Sequence, residues 1–181
     1  MPILKKSSYT IKDIYALPEG ERAELIDGRI YAMAPPNRLH QKLVMELSHV
    51  IKSYIEKNNG KCEVYPSPFA VFLNKDEKIY VEPDISVICD KDKLNDRGCV
   101  GAPDFVIEVV SKSSRKMDYT TKNALYSDAG VREYWIVDPE KERTMIYYYE
   151  QDEAPMISLF TQTIQSGIYE GLEINISELL K

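Results

Sequence analysis

The spacing of apolar and polar residues divides the chain into a few helices and many short strands. Thr10-Ile-Lys-Asp13 has the form of a helix start with Thr10 as N-cap, and Leu17-Pro-Glu-Gly20 ends that helix. Ala23–Ile26 and Arg29–Met33 flank Asp27-Gly28, and a two-residue Asp-Gly turn between strand-like runs predicts a hairpin. Beyond Pro35-Pro36, apolar residues fall at Leu39, Leu43, Leu47, Val50, Ile51, Tyr54 and Ile55. That is one buried stripe on a helix over Leu39–Lys57, stopped by Asn58-Asn-Gly60. Strands are predicted at Cys62–Tyr65, Phe69–Leu73, Ile79–Val81, Ile85–Cys89 and Phe105–Val110. A second long helix is expected over Tyr119–Ala129, with Gly130 supplying the positive φ of its C-terminal cap. Glu133–Val137 and Thr144–Tyr149 form a hairpin pattern around the Asp138–Glu142 turn. A strand near Ile157–Thr161 and a segment from Ser177 close the chain. This order predicts an α+β or mixed α/β fold, a sheet flanked by two main helices.

One residue breaks the pattern. Glu108 sits in the middle of the apolar, β-branched run Phe105–Val110, where a core strand is expected. A buried carboxylate is expensive unless a cation pairs with it. Asp84 stands at the mouth of the neighbouring apolar run from Ile85. Two acids converging at one sheet edge make a hard-oxygen site for a divalent cation. In the following helix Asp118, Lys122 and Tyr126 are spaced i, i+4, i+8 and share one face. Lys122 either points at the two acids, where it would stabilise charge on a reacting phosphate or position an attacking water, or forms a surface salt bridge with Asp118. Tyr126 reads as wall rather than chemistry.

Length and composition narrow the choice. A chain of 181 residues fits one domain, 1–181, and no apolar run approaches the ~20 residues of a membrane helix. Lys5-Lys6 are followed by no apolar stretch, so no secretory signal is expected, and the expected compartment is the cytoplasm. Cys62, Cys89 and Cys99 are odd in number and lack CxxC spacing, which argues against a zinc site and against a disulfide framework. The net charge of −6 argues against a broad basic footprint for nucleic acid. Lys112, Arg115, Lys116 and Lys122 are the local exception, either a basic patch at a cleft or a solvated face. In the Tyr147-Tyr-Tyr149 run alternate rings face opposite sides of a strand. Aromatic surface of this kind suits base stacking or a homodimer interface, and the homodimer is favoured.

Pro83-Asp84 followed by Glu108-Val-Val110 resembles the PD-(D/E)XK nuclease superfamily, in which an Asp and a Glu on adjacent strands bind Mg²⁺. The lysine expected two residues after the second acid is replaced here by Val110. A longer series, Pro103–Ser111, Asp118–Tyr126 and Ala129–Pro139, together with Glu24-Leu-Ile-Asp-Gly28 and Ala34-Pro35 … His40, is similar to the Uma-type restriction endonuclease family. The likeness runs from about Thr10 to Tyr149. It implies a restriction-endonuclease-like core, a central mixed sheet flanked by helices, with an N-terminal helix and β-hairpin. It implies a DNA endonuclease whose Mg²⁺ (Mn²⁺ as substitute) is held by Asp84, Glu108 and the Val109 carbonyl, with the lysine migrated to Lys122. The likeness makes His40 either a contact supporting the metal or phosphate or, on the plainer reading, a partly buried polar residue near a helix start, and Glu24 either an additional carboxylate or a plain hairpin-edge residue. The acidic charge and the missing strand lysine motivate the alternative, a catalytically silent nucleic-acid-binding or dimeric interaction module that keeps the fold.

Overall fold

The computed structural model describes residues 7–74, 77–151 and 153–181. Helix α1 (Ile11–Tyr15) starts at Thr10, whose backbone N–H donates to the Asp13 carboxylate at 2.9 Å. Strands β1 (Ala23–Ile26) and β2 (Arg29–Ala32) form the expected hairpin, with Asp27 (φ 49°) and Gly28 (φ 73°) both in the left-handed region that a tight two-residue turn requires. Helix α2 (Arg38–Lys57) is capped by the Asn37 side chain, which accepts the His40 N–H, and is followed by Asn59 at φ 52°.

Then come β3 (Glu63–Pro66), β4 (Val71–Phe72), β5 (Ile85–Ile88), β6 (Leu94–Asn95), β7 (Gly98–Val100) and β8 (Phe105–Val109). Residues Met117–Lys122 wind as a π-helix that passes directly into α3 (Asn123–Ala129), with Gly130 at φ 92° ending it. Strands β9 (Glu133–Asp138), β10 (Arg143–Tyr148), β11 (Met156–Leu159), β12 (Thr163–Gln165) and β13 (Glu173–Asn175) and helix α4 (Ile176–Leu179) complete the order. No helix among the described residues is long and apolar enough to cross a membrane.

The main sheet runs β11-β10-β9-β8-β5-β3. It is mixed: β8 and β9 are parallel and the other neighbours antiparallel. Both faces are covered, which is why its central strands are largely apolar on both sides, with Glu108 in β8 as the charged exception at their centre. On one face α2 lays Leu43, Leu47, Ile51 and Ile55 against Ile85, Val87, Phe105, Ile107 and Trp135. Each of those four helix residues contributes roughly 1.5–3 kcal/mol by leaving water. On the other face Val106, Val110, Tyr134 and Ile136 pack against Tyr126 of α3 and against Val71 and Val81. Glu108 shares the parity of Val106 and Val110, so its carboxylate is on the α3 side of the sheet.

The structure departs from the sequence reading at several places. Ile79–Val81 makes only isolated bridges, through Tyr80 to Leu25 and Val81 to Val71, because it crosses between the hairpin and β4 instead of joining a sheet. Strands β6, β7, β12 and β13 are two or three residues long, too short to show a period in sequence. The tyrosine run does not form an aromatic surface: Tyr147 and Tyr149 are half-buried against the α3 side of the core, and Tyr148 packs against the α2 side. Tyr149 donates to the Asn123 carbonyl and Tyr148 to the Gln165 carbonyl, so the homodimer argument loses its basis. Cys62 and Cys89 form a disulfide, against the expectation of none. Their 27-residue separation carries no motif; the antiparallel pairing of β3 with β5 is what brings them together. Cys99 is free and buried.

Candidate active site

Register places the acids. In the β5–β8 pair Ile85 lies opposite Ile107, which sets Asp84 beside Glu108 at the sheet edge. The Asp84 Oδ2 accepts the Val109 backbone N–H at 2.7 Å, and the Asp84 N–H reaches Glu108 Oε2 at 3.4 Å. The two carboxylates therefore lock each other's backbones. From the opposite face, the first turn of α2 brings His40, whose Nε2 lies 3.1 Å from Asp84 Oδ2.

Lys122 comes from the π-helical segment and is only 5% exposed. Its Nζ lies 2.9 Å from Glu108 Oε1, 2.9 Å from Glu24 Oε1 and 3.9 Å from Asp118 Oδ1. Glu24 reaches this point from β1 and also accepts the Glu82 N–H at 3.0 Å. The ion pair of Asp118 with Lys122 is thus buried and belongs to the site; it is no surface salt bridge. Glu24, likewise, is 5% exposed and inside the cluster, which removes the reading of a plain edge position. The π-helical turn widens the helix locally, a distortion that recurs at functional sites.

Tyr126, read from sequence as wall, donates its OH to Glu108 Oε1 at 2.7 Å. Of the expected basic patch, Lys122 points inward and Arg115 is bound to Asp138 and Glu140, which leaves Lys112 and Lys116 exposed. At the rim, Arg22 donates to Ser67 Oγ at 2.7 Å and to Glu82 at 3.0 Å. Sequence reasoning passed over Arg22 and Glu82, although Glu82 directly precedes Pro83-Asp84; their partnership spans 60 residues and leaves no local trace.

Arg22, Glu24, His40, Glu82, Asp84, Glu108, Asp118 and Lys122 line one cleft of about 350 Å³, with Met33–Asn37 and serines of the Ser111–Ser114 turn also in its wall. Its charge is unbalanced. Among the described residues Glu24, Glu108 and Asp118 surround one ammonium, and Asp84 has His40. Burial pushes the Glu108 carboxyl well above its ordinary range; Lys122 opposes this, while Asp84, Asp118 and Glu24 add to it. Burial raises Asp118 to about 6, again against Lys122. Burial alone would lower Lys122, but Glu108, Glu24 and Asp118 outweigh it and hold the ammonium protonated well above the usual lysine value. His40 follows the same logic: burial lowers it, and the hydrogen bond and charge of Asp84 more than restore it, so its pKa is raised.

The donor set suits a hard divalent cation. Both contacts to Asp84 fall on Oδ2, and Glu108 Oε2 receives only the long Asp84 contact, so each acid, both lining the cleft with Val109, keeps an oxygen with little or no protein donor. Among the described residues no three His, Cys, Asp or Glu side chains are arranged around one point as a preformed ligand group. Two acids with waters are nonetheless the usual protein share for Mg²⁺.

Comparison with known proteins bears on the family and the fold. The Uma2 family model, described as "Putative restriction endonuclease", matches residues 11–177. Two proteins of Synechocystis, slr1290 and sll1609, are each 27% identical to this chain, over 133 and 121 residues. The first match covers 73% of this chain and 68% of the relative, the second 65% and 67%. A crystal structure described as "a putative nuclease belonging to DUF820", from Anabaena variabilis, superposes with a TM-score of 0.76 over 94% of this chain and 96% of that one. At 20% identity it establishes a shared fold.

Proposed function

The chain belongs to the Uma2 family of restriction-endonuclease-like proteins, and from that premise we propose that it is a metal-dependent DNA endonuclease hydrolysing phosphodiester bonds in the cleft of Asp84, Glu108 and Lys122. The observation that carries the reading is the buried cluster itself: among the described residues, carboxylates in excess of the Lys122 ammonium at the floor of an open cleft. Such an excess is costly for a structural core and suits a site that takes up a cation.

In this reading Asp84, Glu108 and the Val109 carbonyl would hold Mg²⁺, with Mn²⁺ as substitute. The ion, when bound, would polarise the phosphoryl oxygen and acidify a water. The chain's own groups do the rest. Glu24 and Glu108 fix the Lys122 ammonium from two sides, so it presents positive charge where negative charge grows on the phosphate. Tyr126 and Lys122 both occupy Glu108 Oε1, which orients Oε2 toward Asp84. His40 holds Asp84 from the α2 side. Two copies, one per DNA strand, would suit a duplex substrate, and that symmetry alone now motivates a homodimer. Action on DNA would place the protein in the cytoplasm.

The test is cleavage of supercoiled and linear DNA by purified protein with Mg²⁺ or Mn²⁺. Wild type should cut and Glu108→Ala should not; intact DNA in both would overturn the proposal. A second reading, a silent binding module, is favoured by one observation, the lack of a preformed three-ligand group among the described residues. Calorimetry separates the two: the enzyme binds Mn²⁺ and loses it with Asp84→Asn, whereas the silent module binds none.

A further inference from the structure

Asp118 is a residue of the cleft that the mechanism above leaves without a task. It is 1% exposed, lines the cleft, and its Oδ1 is buried with no hydrogen-bond partner among the described residues. A buried carboxylate oxygen without a donor is costly, and in native proteins it calls for a water or a ligand. The nearest cation is Lys122 Nζ, at 3.9 Å, beyond hydrogen-bond range. Two polar atoms at that separation are suited to sharing a water about 2.8 Å from each, donating to one and accepting from the other. The backbone that carries it is fixed: the Asp118 N–H donates to the Ser114 carbonyl, and the Asp118 backbone carbonyl accepts the Tyr134 OH at 3.1 Å. The Ser114 side chain hydrogen-bonds the carboxyl, so a buried side chain on an anchored turn is constrained as a positioning group must be.

We propose that Asp118 Oδ1 and Lys122 Nζ together hold one ordered water in the cleft, and that this is the attacking water which the family resemblance already gives to the lysine, with Asp118 as its second, newly assigned contact. The inference rests on the endonuclease reading for the second half only. Lys122 donates to the water oxygen and Asp118 accepts one of its protons, which leaves a lone pair directed into the cleft. In the reaction that oxygen forms the new bond to phosphorus. The bond from phosphorus to the leaving nucleotide oxygen breaks and carries its electron pair to that oxygen, which takes a proton from solvent. The proton released by the attacking water leaves through the cleft to solvent. Lys122 alone would leave the water free to rotate about one contact; Asp118 supplies the second contact that fixes it. Asp118 is thus a positioning residue, acting on the water and not on the metal.

The test has two readouts. The first is a high-resolution crystal structure of the whole protein and of Asp118→Ala. A water bonded to both Asp118 Oδ1 and Lys122 Nζ is expected in wild type and should be missing in the variant; no density at Oδ1 in wild type overturns the inference. The second is turnover of DNA with Mn²⁺ alongside calorimetric Mn²⁺ affinity. Asp118→Ala should lower kcat roughly ten- to hundredfold, with KM and Mn²⁺ affinity within about twofold of wild type. Asp118→Asn keeps the size and an acceptor oxygen, so it should retain the water and part of the lost kcat. Unchanged kcat in Asp118→Ala, or a parallel loss of Mn²⁺ affinity, overturns the positioning role. A wild type that holds the water yet leaves DNA intact sinks the endonuclease reading and the nucleophile assignment. A wild type that cuts DNA without that water sinks this inference alone.

Discussion

Replacing Lys122 by Met removes the one ammonium from a buried pocket of carboxylates while roughly conserving side-chain volume. Glu108 and Glu24 each lose a partner at 2.9 Å, and Asp118 loses its cation at 3.9 Å. Breaking a buried ion pair from one side destabilises by about 3–5 kcal/mol, because a charge is left desolvated. For a chain of 181 residues the unfolding entropy near Tm is roughly 0.4 kcal/mol/K, so a loss of about 4 kcal/mol lowers Tm by about 10 °C. The loss must depend on pH. Burial already holds the folded pKa of Glu108 well above its unfolded value, and Lys122 is the group that opposes this. For a carboxyl raised in the folded state, stability is fully present below the unfolded pKa, about 4.3, and is lost as pH rises through the folded value. Without Lys122 that loss deepens, so the deficit of Lys122→Met should be largest at pH 8 and shrink toward pH 5. Thermal unfolding followed by circular dichroism at both pH values measures it. A variant within 2 °C of wild type at each pH would refute the reasoning, since it would mean that the amine does not sit among desolvated carboxylates.

Other substitutions test separate parts of the account. Asp118→Asn should raise Tm at pH 8 and leave it nearly unchanged at pH 4. Burial lifts that carboxyl to about 6, so its ionised form opposes folding above that pH by up to roughly 3 kcal/mol, and differential scanning calorimetry at both pH values reads the gain. Tyr126→Phe deletes the donor at 2.7 Å from Glu108 Oε1 and should cost about 1–2 kcal/mol in urea unfolding with an unchanged m-value. Glu133 is fully buried and accepts from Trp135 Nε1, Ser166 Oγ and the backbone N–H groups of Gly167 and Ile168. Glu133→Ala should therefore lower stability by roughly 3–5 kcal/mol and expose the segment around Ser166 to proteolysis, with Glu133→Gln intermediate.

The sequence was most readable where local chemistry alone sets the backbone. Asp27-Gly28 demanded its hairpin, the stripe from Leu43 to Ile55 its helix, and Gly130 the end of α3. The continuous apolar run around Glu108 also made its burial foreseeable, since a core strand has no solvated place for its middle residue. What the sequence hid depends on distance along the chain. The Arg22–Glu82 pair, the joining of Cys62 to Cys89 and the packing of Tyr147 and Tyr149 on the α3 side are all products of strand order, which no local pattern encodes. Asp118, Lys122 and Tyr126 share one helical face as their spacing implies, but the spacing does not tell whether that face is buried, and the Tyr126 bond to Glu108 leaves no local trace. The i, i+4 spacing that suggests a surface salt bridge looks the same whether the helix faces water or a buried acid.

The central claim is that Asp84 and Glu108 are a cation site with Lys122 beside it. Crystals soaked in Mn²⁺ and recorded at the manganese absorption edge test it most directly. The account predicts one anomalous peak about 2.1 Å from an oxygen of each acid, with Lys122 Nζ near but not bound to it. A site that stays dark at saturating Mn²⁺, or a peak at other residues only, would contradict it.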